Sequence, residues 1–330
     1  MRRRRLPPAR AERPRRGRRP PRPDSRVEGA AVIAVVANPT AGRGKGARLI
    51  PKVGALLRSL GLDHTLHISE GPEEVERLAQ KAAAEGADVV AALGGDGQVG
   101  ACANGLLDTD AALAVIPAGT GNDFARHLGL DRKDPMAATR LLASPVLRRL
   151  DVVQVKTPEQ ARHFVNVGGA GFDSDVNEHA NGVRRLTGTA KYIYSTFVTL
   201  ARFKPGDFTV TVDGERHDFR GMMLAVGNGS SYGGGMQVCP GARSDDGILE
   251  VCVIQELPKW QFVKTFPKVF KGRHVDHPAV RMLRGREIEI AADRPFQVYA
   301  DGERVGSLPA TFTVMPGALR VVVPTLRGSA

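Results

Sequence analysis

Three times before Asp123 the chain runs from a short apolar stretch straight into a glycine-rich loop, and this repetition limits the fold more than any other feature. AVIAVVAN enters Asn38-Pro39-Thr40-Ala41-Gly42-Arg43-Gly44-Lys45-Gly46. DVVAAL enters Gly94-Gly95-Asp96-Gly97, and ALAVIP enters Ala118-Gly119-Thr120-Gly121-Asn122-Asp123. The stretches have the length of buried strands, and helical spacing fills the intervals: Leu49, Ile50, Val53, Leu56, Leu57 and Leu60 before Gly61, then Val75, Leu78, Ala79 and Ala82 within 73–85. A further helix is expected around Asn104–Leu107. Strands alternating with amphipathic helices predict a parallel α/β sheet over residues 30–150.

Open α/β sheets take ligands at the carboxyl ends of their strands, which here are the glycine loops. Glycine lets backbone approach a phosphate, and amides ahead of a helix N-terminus suit an anion. A plain strand-to-helix turn also uses glycine, so the first loop alone leaves both readings open. It is not a Walker A loop, because Gly46 rather than Ser or Thr follows Lys45, and it carries no GxGxxG fingerprint. Asp96, set among glycines, can reach a metal on a nucleotide, and magnesium prefers such oxygen ligands. Thr120, Asn122 and Asp123 add a hydroxyl, an amide and a second carboxylate. Either aspartate alone could be a turn or cap residue, but three such loops at successive strand ends argue jointly for a phosphate site.

After Leu150 the pattern changes to strands and tight turns: DVVQVK, HFVNVGG, FTVTVDGE, MMLAVGNG, ILEVCVI, REIEIAA, FQVYADGE and LRVVVP. They predict an antiparallel β-sandwich over 151–330, with one helix around Ala190–Phe203 and the last residues free to pack back on the first domain.

The formal charge of +12 is located almost entirely in the N-terminal arm. Residues 1–26 hold 12 Arg against Glu12 and Asp24, a net +10 that leaves +2 for the rest. Rich in Pro and without an apolar run, residues 1–29 are expected to be disordered. An unselected leader and adhesion to anionic lipid both fit this arm; nucleic-acid binding fits less well, since no aromatics interleave the arginines to stack bases. Cys102, Cys239 and Cys252 form no CxxC pair, which points to a reducing, cytoplasmic setting. No apolar run approaches the ~20 residues that span a bilayer, so membrane contact is expected to be peripheral.

NPTAGRGKG, GGDG and PAGTGNDFA, in this order, resemble the catalytic domain of the diacylglycerol kinase and sphingosine kinase superfamily. NVGGAGFD, YGGGMQVCPGARSDDGILEV and YADGE resemble its bacterial soluble diacylglycerol kinase-like branch, so the likeness extends from about Val32 to Val323. The resemblance implies a nucleotide-binding α/β domain of NAD kinase/diacylglycerol kinase type followed by a β-sandwich lipid-substrate domain. It implies ATP and Mg²⁺ in the cleft between them, with the nucleotide held by Asn38, Gly42, Gly44, Gly46, Ser69, Gly95, Asp96, Gly97, Gly119, Thr120, Asn122 and Glu303. Asp301 would be the general base for the lipid hydroxyl, and Asp96, Asp123 and Glu303 would serve the metal. A second, structural cation would lie on Asp246 with the carbonyls of Arg243 and Ile248, unless Asp245-Asp246-Gly247 is simply a hairpin turn.

The chain departs from the family pattern at Gln98, which replaces a threonine, and at Gly100 and Ala101, which replace an Asn-Glu pair. These changes motivate a second reading as a non-catalytic nucleotide or lipid sensor, and a third as an NAD kinase-like enzyme with a soluble acceptor. The expected partner is a lipid at the inner face of the membrane, met through 190–204 and 258–274, which mix aromatics with Lys and Arg. Ordinary amphipathic packing fits those segments equally. No nucleic-acid partner is expected. The choice of lipid and the oligomeric state, a homodimer included, are left open.

Overall fold

The computed structural model describes residues 25–26, 31–183 and 188–324. The arginine-rich arm therefore lies outside the described residues, apart from Ser25–Arg26, which pairs with Val146 and Leu147.

Four parallel strands stand in the order His64–Ile68, Ile33–Ala37, Val89–Gly94, Ala112–Pro117. The last three are buried at every position, as strands covered on both faces must be. Helix Ala41–Ser59 packs Leu49, Val53 and Leu57 on one face of the sheet, against Ile33, Val35, Leu93 and Ile116. Helices Pro72–Ala84 and Asp96–Leu106 cover the other face with Val75, Ala79, Val99 and Leu106. The second of these begins at Asp96 itself, so the aspartate of the GGDG loop opens a helix. A search for apolar runs misses His64–Ile68. This edge strand reads HTLHI, with Leu66 and Ile68 exposed, because only one of its sides is paired.

The second half is an antiparallel sandwich whose core includes Phe164, Phe208, Phe312, Leu224, Val251 and Ile288. The change in architecture expected near 150 falls inside one unbroken strand, Val146–Lys156. Ten residue pairs join this strand antiparallel to Ala310–Val323. The latter also pairs with Glu287–Ala292 in the sandwich and touches the parallel sheet where Val321 meets Leu113. Its register shifts between Met315 and Leu319, around Pro316-Gly317, which is how one strand serves both layers. The three cysteines are buried and unpaired.

Gly105 sets the spacing of the two helices on the second face. A Cβ there would run into the Glu76 carbonyl and stand 3.1 Å from the Ala79 Cβ. Gly105→Ala is therefore expected to destabilise the protein by about 1–3 kcal/mol, despite the better helix propensity of alanine, as read from the urea unfolding midpoint.

Candidate active site

The three glycine loops follow adjacent strands and touch one another. In the first, Asn38 Oδ1 accepts the Thr40 amide at 2.9 Å and the Thr40 hydroxyl at 2.7 Å. The chain then turns through Gly42, Arg43 and Gly44, all at positive φ, before the regular helix starts. Gly42 rests on the third loop, where a Cβ would strike the Ala118 carbonyl. Gly119 presses on the second loop, and a Cβ there would come within 2.5 Å of the Gly95 Cα. Asn122 holds the third loop closed, its Oδ1 accepting the Gly119 amide at 3.0 Å and its Nδ2 donating to the Gly119 carbonyl at 2.9 Å. Its side chain thus shapes the loop from within. Ser69 ends the edge strand, buried, with its hydroxyl 3.3 Å from the Ala37 carbonyl beside Asn38.

Two carboxylates converge on this floor. Asp96 Oδ1 accepts the Phe124 amide at 3.0 Å, while its Oδ2 lies 2.8 Å from where a Gly121 Cβ would stand. Asp123 Oδ2 lies 3.4 Å from the same point and accepts the Gly234 amide at 2.7 Å; its Oδ1 pairs with Arg126. Burial raises the Asp96 carboxyl above its ordinary value, and the neighbouring Asp123 charge adds to the rise. Like charges facing a gap that glycine leaves open form a donor set suited to a hard cation. Among the described residues no cluster of three His, Cys, Asp or Glu side chains forms a closed metal cage. Magnesium does not require one, since it commonly takes one or two carboxylates and completes its shell with phosphate and water.

Asp301 reaches the floor from the far end of the chain. It occupies the turn between strands Gln297–Ala300 and Glu303–Ser307, at φ 48°, and its amide donates to the Val167 carbonyl at 3.0 Å. Three successive amides hold its carboxylate: Val165 donates to Oδ2 at 2.8 Å, and Asn166 and Val167 donate to Oδ1 at 3.0 and 3.1 Å. Oδ2 lies 3.7 Å from the position of a Gly100 Cβ, and Glu303 Oε1 lies 3.6 Å from that of Gly97. The Asp301-Gly302-Glu303 turn therefore sits over the first turn of the helix opened by Asp96. Desolvation outweighs the three amides and, with the Asp96 charge, pushes the Asp301 carboxyl up to about 6.

Comparison with known proteins matches both halves of the chain. The Diacylglycerol kinase catalytic domain matches residues 32–155, and the YegS C-terminal NAD kinase beta sandwich-like domain matches 166–323. A protein named diacylglycerol kinase from Mycobacterium tuberculosis is 33% identical over 294 residues, covering 88% of this chain and 95% of that one. The chain belongs to the diacylglycerol kinase superfamily. A Bacillus subtilis member of the same name is 26% identical over 293 residues, with 88% and 95% covered. The crystal structure of a diacylglycerol kinase from Bacillus anthracis shares the fold at a TM-score of 0.69, with 22% identity and coverage of 90% and 98%.

Two of the departures from the superfamily pattern have a local setting, and nothing in the structure explains Ala101. Gln98 is buried against Gly94, its Nε2 donating to the Val36 carbonyl at 3.1 Å. Gly100 is where Asp301 packs. Arg243, Asp246 and Ile248 are not drawn into the kinase floor. Asp246 Oδ1 accepts the Ile248 amide at 3.1 Å and its Oδ2 accepts Arg284 at 3.1 Å, while Arg243 pairs with Asp245. The carboxylate expected to hold a structural cation is thus bonded to donors of the protein. His127 is half-buried and bonded to the Ser244 hydroxyl, and His274 is buried and bonded to the Val238 carbonyl.

Sequence reasoning gave no role to Arg126, Gly234, Val165 or Asn228. Arg132 is another, donating to the Gly121 carbonyl at 3.0 Å. The signal for Asn228 was an amide side chain ending an apolar run. Fully buried, its Nδ2 donates to the Val165 carbonyl at 2.8 Å and the Asp151 carbonyl at 2.9 Å, bracing the segment whose amides hold Asp301. Asn228→Ala leaves two buried carbonyls without that donor. A loss of about 2–4 kcal/mol is expected from the penalty for unsatisfied groups, measured by urea denaturation.

Proposed function

We propose that this chain is an ATP- and Mg²⁺-dependent lipid kinase that phosphorylates the hydroxyl of diacylglycerol or a closely related lipid. The observation that carries this reading is Asp301, a carboxylate with a raised pKa held against the helix that begins in the GGDG loop. The acceptor class rests on the names of the Mycobacterium tuberculosis and Bacillus subtilis relatives.

In this reading the backbone amides of the 42–46, 95–97 and 120–121 loops receive the phosphates of ATP. Asp96 and Asp123 would hold magnesium, with Glu303 beside them. Bound there, the ion would supply positive charge against the β- and γ-phosphate oxygens. Asp301 accepts the proton of the lipid hydroxyl as its oxygen bonds to the γ-phosphorus; the bond from that phosphorus to the β-bridging oxygen breaks, and ADP leaves. A base with a pKa of about 6 is ionised at neutral pH yet basic enough to take that proton. The packing of Asp301 on Gly100 keeps the proposed base in place and favours catalysis over the sensor reading, although the threonine hydroxyl and glutamate carboxylate of the family pattern are absent at Gln98 and Ala101.

Transfer of labelled phosphate from ATP to diacylglycerol in mixed micelles is the direct test. Asp301→Asn should lower turnover by about 10²–10⁴-fold while nucleotide affinity by calorimetry stays within a few-fold. Unchanged turnover would remove Asp301 from the chemistry. Asp96→Asn and Asp123→Asn should each raise the magnesium needed for half-maximal rate by about 10-fold or more.

The parent's rate should climb with pH through about 6 and then level off, and Asp301→Asn should lack that limb. Folding raises this carboxyl from 3.8, so its contribution to stability is complete below 3.8 and is lost as pH rises through about 6. The urea midpoint of Asp301→Asn should accordingly shift upward relative to the parent across that interval.

A further inference from the structure

Nine large apolar side chains stand exposed among the described residues, and five of them, Tyr194, Phe197, Trp260, Val263 and Phe270, fall on two segments of the sandwich domain. Trp260 is 64% exposed, and Tyr194 and Phe197 are each 48% exposed. Helix Gly188–Arg202 carries the tyrosine and the first phenylalanine; helix Lys259–Thr265 and the 3₁₀ turn Phe266–Lys271 carry the others. Lys259 Nζ ties the two segments together through the Ala201 carbonyl at 2.7 Å. Beneath them lies an apolar cavity of about 50 Å³, lined by residues that include Phe172, Thr196, Met223, Phe262 and Phe266. The inner faces of both segments thus complete the domain, while their outer aromatics have no part in its core.

Charge identifies what covers this face. Residues 258–275 contain Lys259, Lys264, Lys268, Lys271 and Arg273 and no acidic residue, and all five cations are exposed. Exposed aromatics within a cluster of one positive sign match the interface of an anionic bilayer, where rings enter the headgroup layer and ammonium groups meet phosphates. A second copy of the same patch would bring those cations together.

The face is also placed to serve the site. Tyr232 and Met236 line the cavity, and the turn they close carries Gly234, whose amide holds Asp123. On the other side, strand Val167–Gly171 leads from the amides around Asp301 to Phe172 at the cavity, about 16 Å at the usual rise per residue.

We propose that Tyr194, Phe197, Trp260, Val263 and Phe270, with Lys264, Lys268 and Lys271, form the surface by which this chain docks on an anionic lipid bilayer. The relevance of that docking to turnover rests on the lipid-kinase reading, but the docking itself requires neither ATP nor Asp301.

Trp260 is the chain's only tryptophan and so reports on this surface directly. With the full chain, phosphatidylglycerol vesicles should shift its emission to the blue and shield it from aqueous quenchers, and phosphatidylcholine vesicles should do neither. The triple variant K264E/K268E/K271E, checked for parental circular dichroism, should bind phosphatidylglycerol vesicles on the order of 100-fold more weakly, at the usual contribution of each basic residue. Asp301→Asn should keep the parental shift, so a failed kinase assay beside an intact shift would count against the kinase reading alone. Flotation with phosphatidylglycerol vesicles while Trp260 emission stays unchanged would place docking elsewhere and overturn the proposal. A blue shift that depends on protein concentration without lipid would overturn it in favour of self-association.

Discussion

The ten-pair antiparallel ladder between Val146–Lys156 and Ala310–Val323 is the constraint on which the rest of the molecule depends. Backbone hydrogen bonds in such a ladder lock register, and a slip of one residue would turn every side chain to the opposite face. Because Ala310–Val323 also reaches Ala112–Pro117 and Glu287–Ala292, the parallel sheet and the sandwich share one strand. Relative motion of the two halves about the site is thereby restricted. The bend at Pro316-Gly317 lets the strand change layers, and the Gly317 amide there donates to Asp151 at 2.9 Å.

On that frame the site forms from parts distant in sequence. Strand ends supply a floor of backbone amides, tightly packed because glycine permits contact between loops at Gly42 and Gly119. Opposed to it stands a carboxylate whose environment pulls in two directions. Three amides favour its charged form, while burial and the Asp96 charge favour the neutral one, and the second influence prevails. The balance leaves a group oriented by hydrogen bonds yet still able to take a proton. Orientation is inherited in turn from Asn228, which holds the Val165 carbonyl from behind.

Polar and apolar work are separated in space but not isolated. Loop amides and carboxylates gather at the sheet ends, while the exposed aromatics and lysines gather on the sandwich. The turn from Tyr232 to Met236 belongs to both regions, touching Asp123 through Gly234 and the apolar cavity through its two ends. An acceptor with a polar head and apolar tails has the same division.

Local patterns were sufficient for three of the four parallel strands, the helices that follow the first two parallel strands in the chain, the sandwich and the loops around Asp96 and Asp123, because burial on both faces and glycine-dependent turns leave marks within a few residues. Edge strand His64–Ile68 left no such mark, since pairing on one side alone permits a polar sequence. Asp301 became a candidate through resemblance, not through any feature of its own neighbourhood in the chain. Only the tertiary structure decided that Val165, Asn166 and Val167 hold it, that Gly234 reaches Asp123, and that Asp246 is bonded to Arg284. These contacts join residues 38 to 136 positions apart, and long-range hydrogen bonds of that kind are selected by strand register, which no short window of sequence encodes.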